Sequence, residues 1–179
     1  MGGIMRILLV YPKLKFSCKK TPWLLMRFFP PLALDQIAGN TPSEYEVKIV
    51  DEERRRVDFN CDVDLVGISC VTPQAPRTYE IADRFREKGV KVVLGGWHPS
   101  ALPEEAKQHA DSVVIGEAEE TWPRLLKDLQ EGELKPFYRN NKPVDLGKIK
   151  PARRGLTGGV NFIGAVQASR GCPMGCEFC

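Results

Sequence analysis

Through residues 1–130, short continuous apolar runs alternate with segments of helical periodicity, and this alternation restricts the fold more than any other feature of the chain. Such a rhythm is the signature of βαβ units around a parallel sheet. Arg6-Ile7-Leu8-Leu9-Val10 is apolar on both faces, as suits a strand covered by helices on each side, and Tyr11-Pro12 stops it. Further strands are expected at Tyr45 to Val50, Val63 to Ser69, Val90 to Leu94 and Ser112 to Ile115. Between them, Leu32 to Ala38, Arg77 to Lys88, a segment opened by Pro103-Glu104-Glu105, and Glu117 to Gln130 read as helices. The sum is an α/β fold: a flavodoxin-like, doubly wound, five-stranded parallel sheet with strand order 2-1-3-4-5.

After Glu131 the pattern lapses. Gly132, Pro136, Pro143, Gly147, Pro151, Gly155, Gly158 and Gly159 punctuate a stretch with little periodicity, read as a linker wrapping over the first domain. Ile163 to Ala168 regains strand character, and Ser169-Arg170-Gly171 leads into three closely spaced cysteines. The expected organisation is an α/β domain over 1–130, a linker over 131–161 and a cysteine-bearing segment over 162–179.

Composition and charge restrict function less. A net charge of +3 with dispersed basic residues gives no mandate for nucleic acid. The start lacks a charged region followed by a long apolar core. The apolar stretch from Trp23 to Leu34 is broken by Arg27 and Pro30-Pro31 and is shorter than the ~20 residues of a membrane helix. A cytoplasmic protein without a membrane span is expected, a setting in which the six cysteines serve metal binding more readily than disulfides.

Three cysteines close the chain as Cys172-Pro173-Met174-Gly175-Cys176-Glu177-Phe178-Cys179, a C-x-x-x-C-x-x-C spacing. Thiolates are soft ligands for zinc or for iron in clusters. Three on one loop hold three irons of a cubane and leave the fourth open, whereas a closed zinc site needs a fourth protein ligand. The candidates for that ligand are Cys18, Cys61, Cys70, His98 and His109, all in the first domain.

The run from Ala168 to Cys179 resembles the cluster loop of the radical S-adenosylmethionine superfamily. The resemblance implies that Cys172, Cys176 and Cys179 bind a 4Fe–4S cluster whose unique iron takes S-adenosylmethionine, and that Phe178 packs near the adenine. It also implies a small-molecule substrate and an electron donor such as a flavodoxin or ferredoxin. In that family this loop follows the first strand of a (β/α) barrel, here Ile163 to Ala168. The rest of the barrel is not in this chain, so the 179 residues alone are expected to catalyse nothing; the function is that of a longer parent enzyme.

In a doubly wound sheet, ligands bind at the carboxyl ends of the strands. Tyr11-Pro12-Lys13-Leu14-Lys15 cannot supply the G-x-G-x-x-G of a nicotinamide or flavin domain. Tyr11 and Ser69 stand where a phosphoreceiver needs acids. Ser69-Cys70-Val71 followed by Gly95-Gly96 resembles the signature of cobalamin-binding domains, though the D-x-H-x-x-G lower-ligand motif is missing. This second resemblance implies a cobalamin site drawn from Tyr11, Ser69, Val71, Thr72, Gly95, Gly96, Gly116 and Glu117. His98 either approaches the corrin or bonds a backbone carbonyl, and Cys70 reads as a small buried residue. Together the resemblances imply a cobalamin-dependent radical S-adenosylmethionine enzyme, with methyl transfer to an unactivated carbon as the parent reaction. The alternatives are an enzyme whose first domain is vestigial, methylthiotransferase- or cyclase-like, and a non-catalytic metal- or cobalamin-binding module.

Overall fold

The computed structural model describes residues 4–14, 31–140, 142–158 and 164–177. A single parallel sheet runs through them in the order β2-β1-β3-β4-β5-β6. Its strands are β1 (Arg6–Tyr11), β2 (Glu46–Asp51), β3 (Leu65–Ser69), β4 (Lys91–Gly95), β5 (Ser112–Ile115) and β6 (Phe137–Arg139). Among the described residues five α-helices accompany them: α1 (Leu32–Asn40), α2 (Ala75–Arg86), α3 (Trp97–Ala101), α4 (Pro103–Gln108) and α5 (Thr121–Gln130).

The apolar runs become strands because alternate residues bury on opposite faces. On one face Leu8, Val10, Val66, Ile68, Val92 and Leu94 meet Ile81 and Phe85 of α2 and Ala106 of α4. On the other, Ile7, Leu9, Leu65 and Val93 meet Leu34 and Ala38 of α1 and Trp122, Leu125 and Leu126 of α5. With both faces covered, the central strands need apolar side chains at every position, and their sequence supplies them.

The five expected strands stand in the expected order, and a sixth extends the sheet. Residues 137–139, inside the stretch read as linker, pair Phe137, Tyr138 and Arg139 with Val113, Val114 and Ile115. Tyr138 is what makes so short a strand hold: its side chain is fully buried, and its hydroxyl donates to Asp128 of α5 at 2.8 Å. The following residues lie against the domain. The Gln36 side-chain amide donates to the Lys150 carbonyl at 2.6 Å, and the Arg153 amide to the Asp35 carbonyl at 2.8 Å. Gly39 is required there, since a Cβ would run into the Pro151 carbonyl.

A second expectation is corrected at the cysteine end. Residues 164–168 form no strand, and Val166 is 86% exposed. A strand is held by a ladder to a neighbour, and no strand among the described residues offers this stretch one.

All four tyrosines are held above the ordinary phenol range, in each case first by burial. Tyr138 is pushed up to about 12, its bond to the Asp128 carboxylate adding to burial. The folded chain therefore holds these protons more tightly than the unfolded one, where phenols titrate near ~10. The linked stability is fully present below pH ~10 and is lost as pH climbs through the folded values. An alkaline absorbance titration should show phenolate appearing at distinctly higher pH in the native protein than in denaturant.

Candidate cofactor site

A cleft of about 1180 Å³ opens at the carboxyl ends of the central strands. Sites for ordinary small molecules span roughly 300–1,000 Å³, so this one suits a larger ligand. Its floor is Leu9, Gly67, Val93 and Val114, with Trp122 beneath; its rim carries Ser69, Gly95, Gly96, Gly116 and Glu117. One wall is the start of α1 and the segment at 149–154, and another is formed by Val166 to Ala168 with Arg170 and Gly171.

The glycines shape this space. Gly96 sits at φ +95°, and a Cβ there would stand 2.7 Å from the Cys70 carbonyl oxygen, 2.9 Å from its amide nitrogen and 2.9 Å from Ser69 Oγ. The β3 and β4 ends thus approach more closely than any side chain would permit. The Cys70 amide donates to the Gly95 carbonyl at 3.1 Å and closes the pair. In mid-strand, a Cβ on Gly67 would meet Leu9 Cδ2 at 2.9 Å and the Trp122 ring at 3.3 Å. Glycine inside a strand marks this kind of close approach, and Gly67 is a cleft residue that sequence reasoning missed.

Polar links then tie the rim together. Ser100 Oγ donates to the Gly96 carbonyl at 2.7 Å and accepts from the Gly116 amide at 2.8 Å. Glu117 accepts from the Val144 amide at 3.1 Å and from Arg170 Nη1 at 3.0 Å. Arg170 Nη2 also pairs with Glu119, whose side chain is 7% exposed. Burial opposes ionisation of Glu117, but the Val144 amide and the Arg170 guanidinium outweigh it and hold its carboxyl below the usual range.

The structure does not bring every expected contact to the cleft. Ser69, Gly95, Gly96, Gly116 and Glu117 line it; Tyr11, Val71 and Thr72 do not. The reason is the 3₁₀ turn Thr72–Gln74, which folds back toward the end of β1. Gln74 is buried there, donating to the Pro12 carbonyl and accepting from the Val71 amide at 3.0 Å. Thr72 Oγ1 lies 3.4 Å from His98 Nδ1. His98 is buried against α2, its Nε2 3.0 Å from the Tyr79 hydroxyl and 3.4 Å from Glu105. Its imidazole thus faces neither the cleft nor a backbone carbonyl. Its neighbour Trp97 lines the cleft and is 84% exposed.

At the cysteine end, Cys172 and Cys176 are exposed free thiols, and the Met174 amide points at Cys172 Sγ at 3.5 Å. Phe178, Cys179 and Cys18 lie outside the described residues. Burial pushes the thiols of Cys61 and Cys70 up, away from the thiolate form a metal requires. Among the described residues, no helix is long and apolar enough to cross a membrane.

The residues present fit a corrin. The space is large, its floor is apolar and glycine-rich, and no histidine lines it, in keeping with the missing lower-ligand motif. Comparison with known proteins agrees. Residues 29–126 match the B12 binding domain family. The chain is 39% identical over 158 residues to the bacteriochlorophyllide d C-8(2)-methyltransferase of Chlorobaculum tepidum, covering 83% of this chain and 35% of that protein. The C-12(1)-methyltransferase of the same organism is 31% identical, with 83% and 34% covered. The hopanoid C-2 methylase of Rhodopseudomonas palustris is 29% identical, with 97% and 35% covered. The chain thus spans about a third of the length of these relatives. No solved structure matches it.

Proposed function

Because the chain belongs to the B12-binding domain family, we propose that it is the cobalamin-binding part of a radical S-adenosylmethionine methyltransferase, together with the loop that carries that enzyme's 4Fe–4S cluster. The observation that carries this reading is the junction of the two parts. Arg170, two residues ahead of Cys172, forms part of the wall of the same cleft whose rim is Ser69, Gly95 and Gly96. The methyltransferase names of the relatives support the parent reaction, methyl transfer to carbon.

When bound, cobalamin would supply a transferable methyl group, and the cluster with S-adenosylmethionine would supply the radical that activates a substrate C–H bond. The chain's own residues perform the holding. Gly95 and Gly96 leave the β4 end bare so that a large ligand can approach backbone, and Ser69 offers a hydroxyl at the adjoining β3 end. Leu9, Val93, Val114 and Trp122 provide a dry floor. Cys172, Cys176 and Cys179 are the cluster ligands, with Gly171 at φ +81° turning the chain into them. By the same resemblance Phe178 is the residue that packs near the adenine. The substrate is a small molecule held by the rest of the parent enzyme, and the reducing electron comes from a donor such as a flavodoxin or ferredoxin.

The cluster assignment is tested by anaerobic reconstitution with iron and sulfide. The 179-residue chain should take up about four irons per chain with matching sulfide. The triple variant Cys172→Ala, Cys176→Ala, Cys179→Ala should take up almost none while melting at an unchanged temperature. Equal iron uptake by the variant, or selective zinc binding by the natural chain, would refute the assignment.

A further inference from the structure

We propose that Glu119, with Glu117, is a positioning residue for the cysteine loop: the two carboxylates grip the Arg170 guanidinium and so fix that loop over the cobalamin cleft. The inference rests on the cofactor assignment above and extends it to how the two parts are held in register.

Among the described residues, the segment at 164–177 has little else to fix it. It forms no regular element, and most of its residues are exposed. Its contacts to the rest of the chain include the Ala165 carbonyl, which accepts from Arg154, and the Arg170 side chain, itself only 22% exposed. The guanidinium presents a planar fork of donors, which lets one side chain serve two carboxylates at once; an ammonium on a flexible stem lacks that geometry. Nη1 reaches Glu117 at 3.0 Å while Nη2 reaches Glu119. Glu119 is the deeper of the two, 7% exposed against 34% for Glu117. A carboxylate so withdrawn from water is costly without a cation, so the Arg170 docked state is favoured over the undocked one.

The clamp is also joined to the cofactor floor. Glu117 and Glu119 sit on the loop after β5, which begins at Gly116 with φ +79°. The Gly116 amide is bonded to Ser100, and Ser100 is bonded to the Gly96 carbonyl. Glu117 additionally holds the Val144 amide, so the loop after β6 meets the same point. The cleft glycines, the acidic loop and the cysteine segment therefore form one hydrogen-bonded unit, two residues short of the first cluster ligand.

Limited proteolysis of the whole 179-residue chain with a broad-specificity protease, without added cofactors, reads the clamp directly, since cleavage follows how often this segment leaves its docked position. Glu119→Gln keeps the volume and removes the charge. It should speed cleavage within 164–172 by about tenfold or more while leaving β1, β3 and β4 uncut. Arg170→Gln should do the same from the other side, and it remains informative if the buried Glu119 variant does not fold. Arg170→Lys keeps a cation but not the fork and should restore only part of the protection. Unchanged cleavage within 164–172 in Arg170→Gln, or protection in Arg170→Lys no better than in Arg170→Gln, would overturn the proposal. Because the readout needs neither cobalamin nor iron, failure of the clamp is distinguishable from failure of the cofactor assignment.

Discussion

Gly96→Ala is expected to lower the melting temperature by about 5–15 °C and to weaken cobalamin binding at least tenfold. Two costs add. An alanine held at φ +95° is strained by roughly 1–3 kcal/mol. Its Cβ would also stand within 2.9 Å of two Cys70 backbone atoms and of Ser69 Oγ. Backbone atoms cannot swing aside as a flexible side chain can, so β3 and β4 must part at their carboxyl ends, at a further cost of about 1 kcal/mol. For a domain of this size, the combined ~2–4 kcal/mol gives the stated shift. Binding suffers separately, because the strand ends that part are those forming the rim of the cleft. Gly116→Ala is the informative partner: it also has a positive φ, but a Cβ there meets nothing within 4 Å. It should show the strain cost alone. Thermal melting and cobalamin titration of the two variants check both parts of the expectation; equal effects on binding would argue against a rim formed at Gly96.

Trp122→Ala is expected to cost about 3–5 kcal/mol, the largest stability loss of any substitution considered. Trp122 is 3% exposed, its ring lies under Gly67, and its indole N–H donates to Thr41 Oγ1 at 2.9 Å. Truncation removes the packing between α5 and β3 and opens a hole under the cleft floor that neighbours fill only in part. Trp122→Phe should lose less than half as much, since it keeps a ring beneath Gly67 and gives up chiefly the hydrogen bond to Thr41, worth ~1 kcal/mol. Denaturant melts with unchanged slopes would show that the loss is one of native packing.

Much of this architecture was legible in the sequence because burial on both sheet faces writes itself as unbroken apolar runs. Arg6 to Val10 and Ser112 to Ile115 needed no tertiary information to be read as strands. What escaped were elements too short to carry a period. β6 is three residues between Gly132 and Pro143, and it holds by pairing with β5 and by the burial of Tyr138, neither of which leaves a local pattern. Helix α3 is five residues containing Pro99, and it exists because the Gly96 turn launches it. Over residues 164–168, the described part of the strand expected at Ile163 to Ala168, the opposite happened: the residues favour a strand, but a ladder needs a second strand.

The cleft was partly legible for a similar reason. Topology alone assigns the ends of β3, β4 and β5 to a ligand site, and Gly95, Gly96 and Gly116 stand there. The same reasoning placed Val71 and Thr72 in the site, because sequence does not show that a 3₁₀ turn anchored by Gln74 carries them away. The pairing of Arg170 with Glu117 and Glu119 joins parts far apart in the chain, and only the folded geometry reveals it.

The central claim is that the cleft binds cobalamin, and an anaerobic titration with hydroxocobalamin, desalting and an absorbance spectrum tests it most directly. The account predicts near-stoichiometric corrin retained by the 179-residue chain, with His109→Ala unchanged because that imidazole faces Asp83 at 2.9 Å rather than the cleft. A folded chain that emerges from desalting without corrin would contradict it.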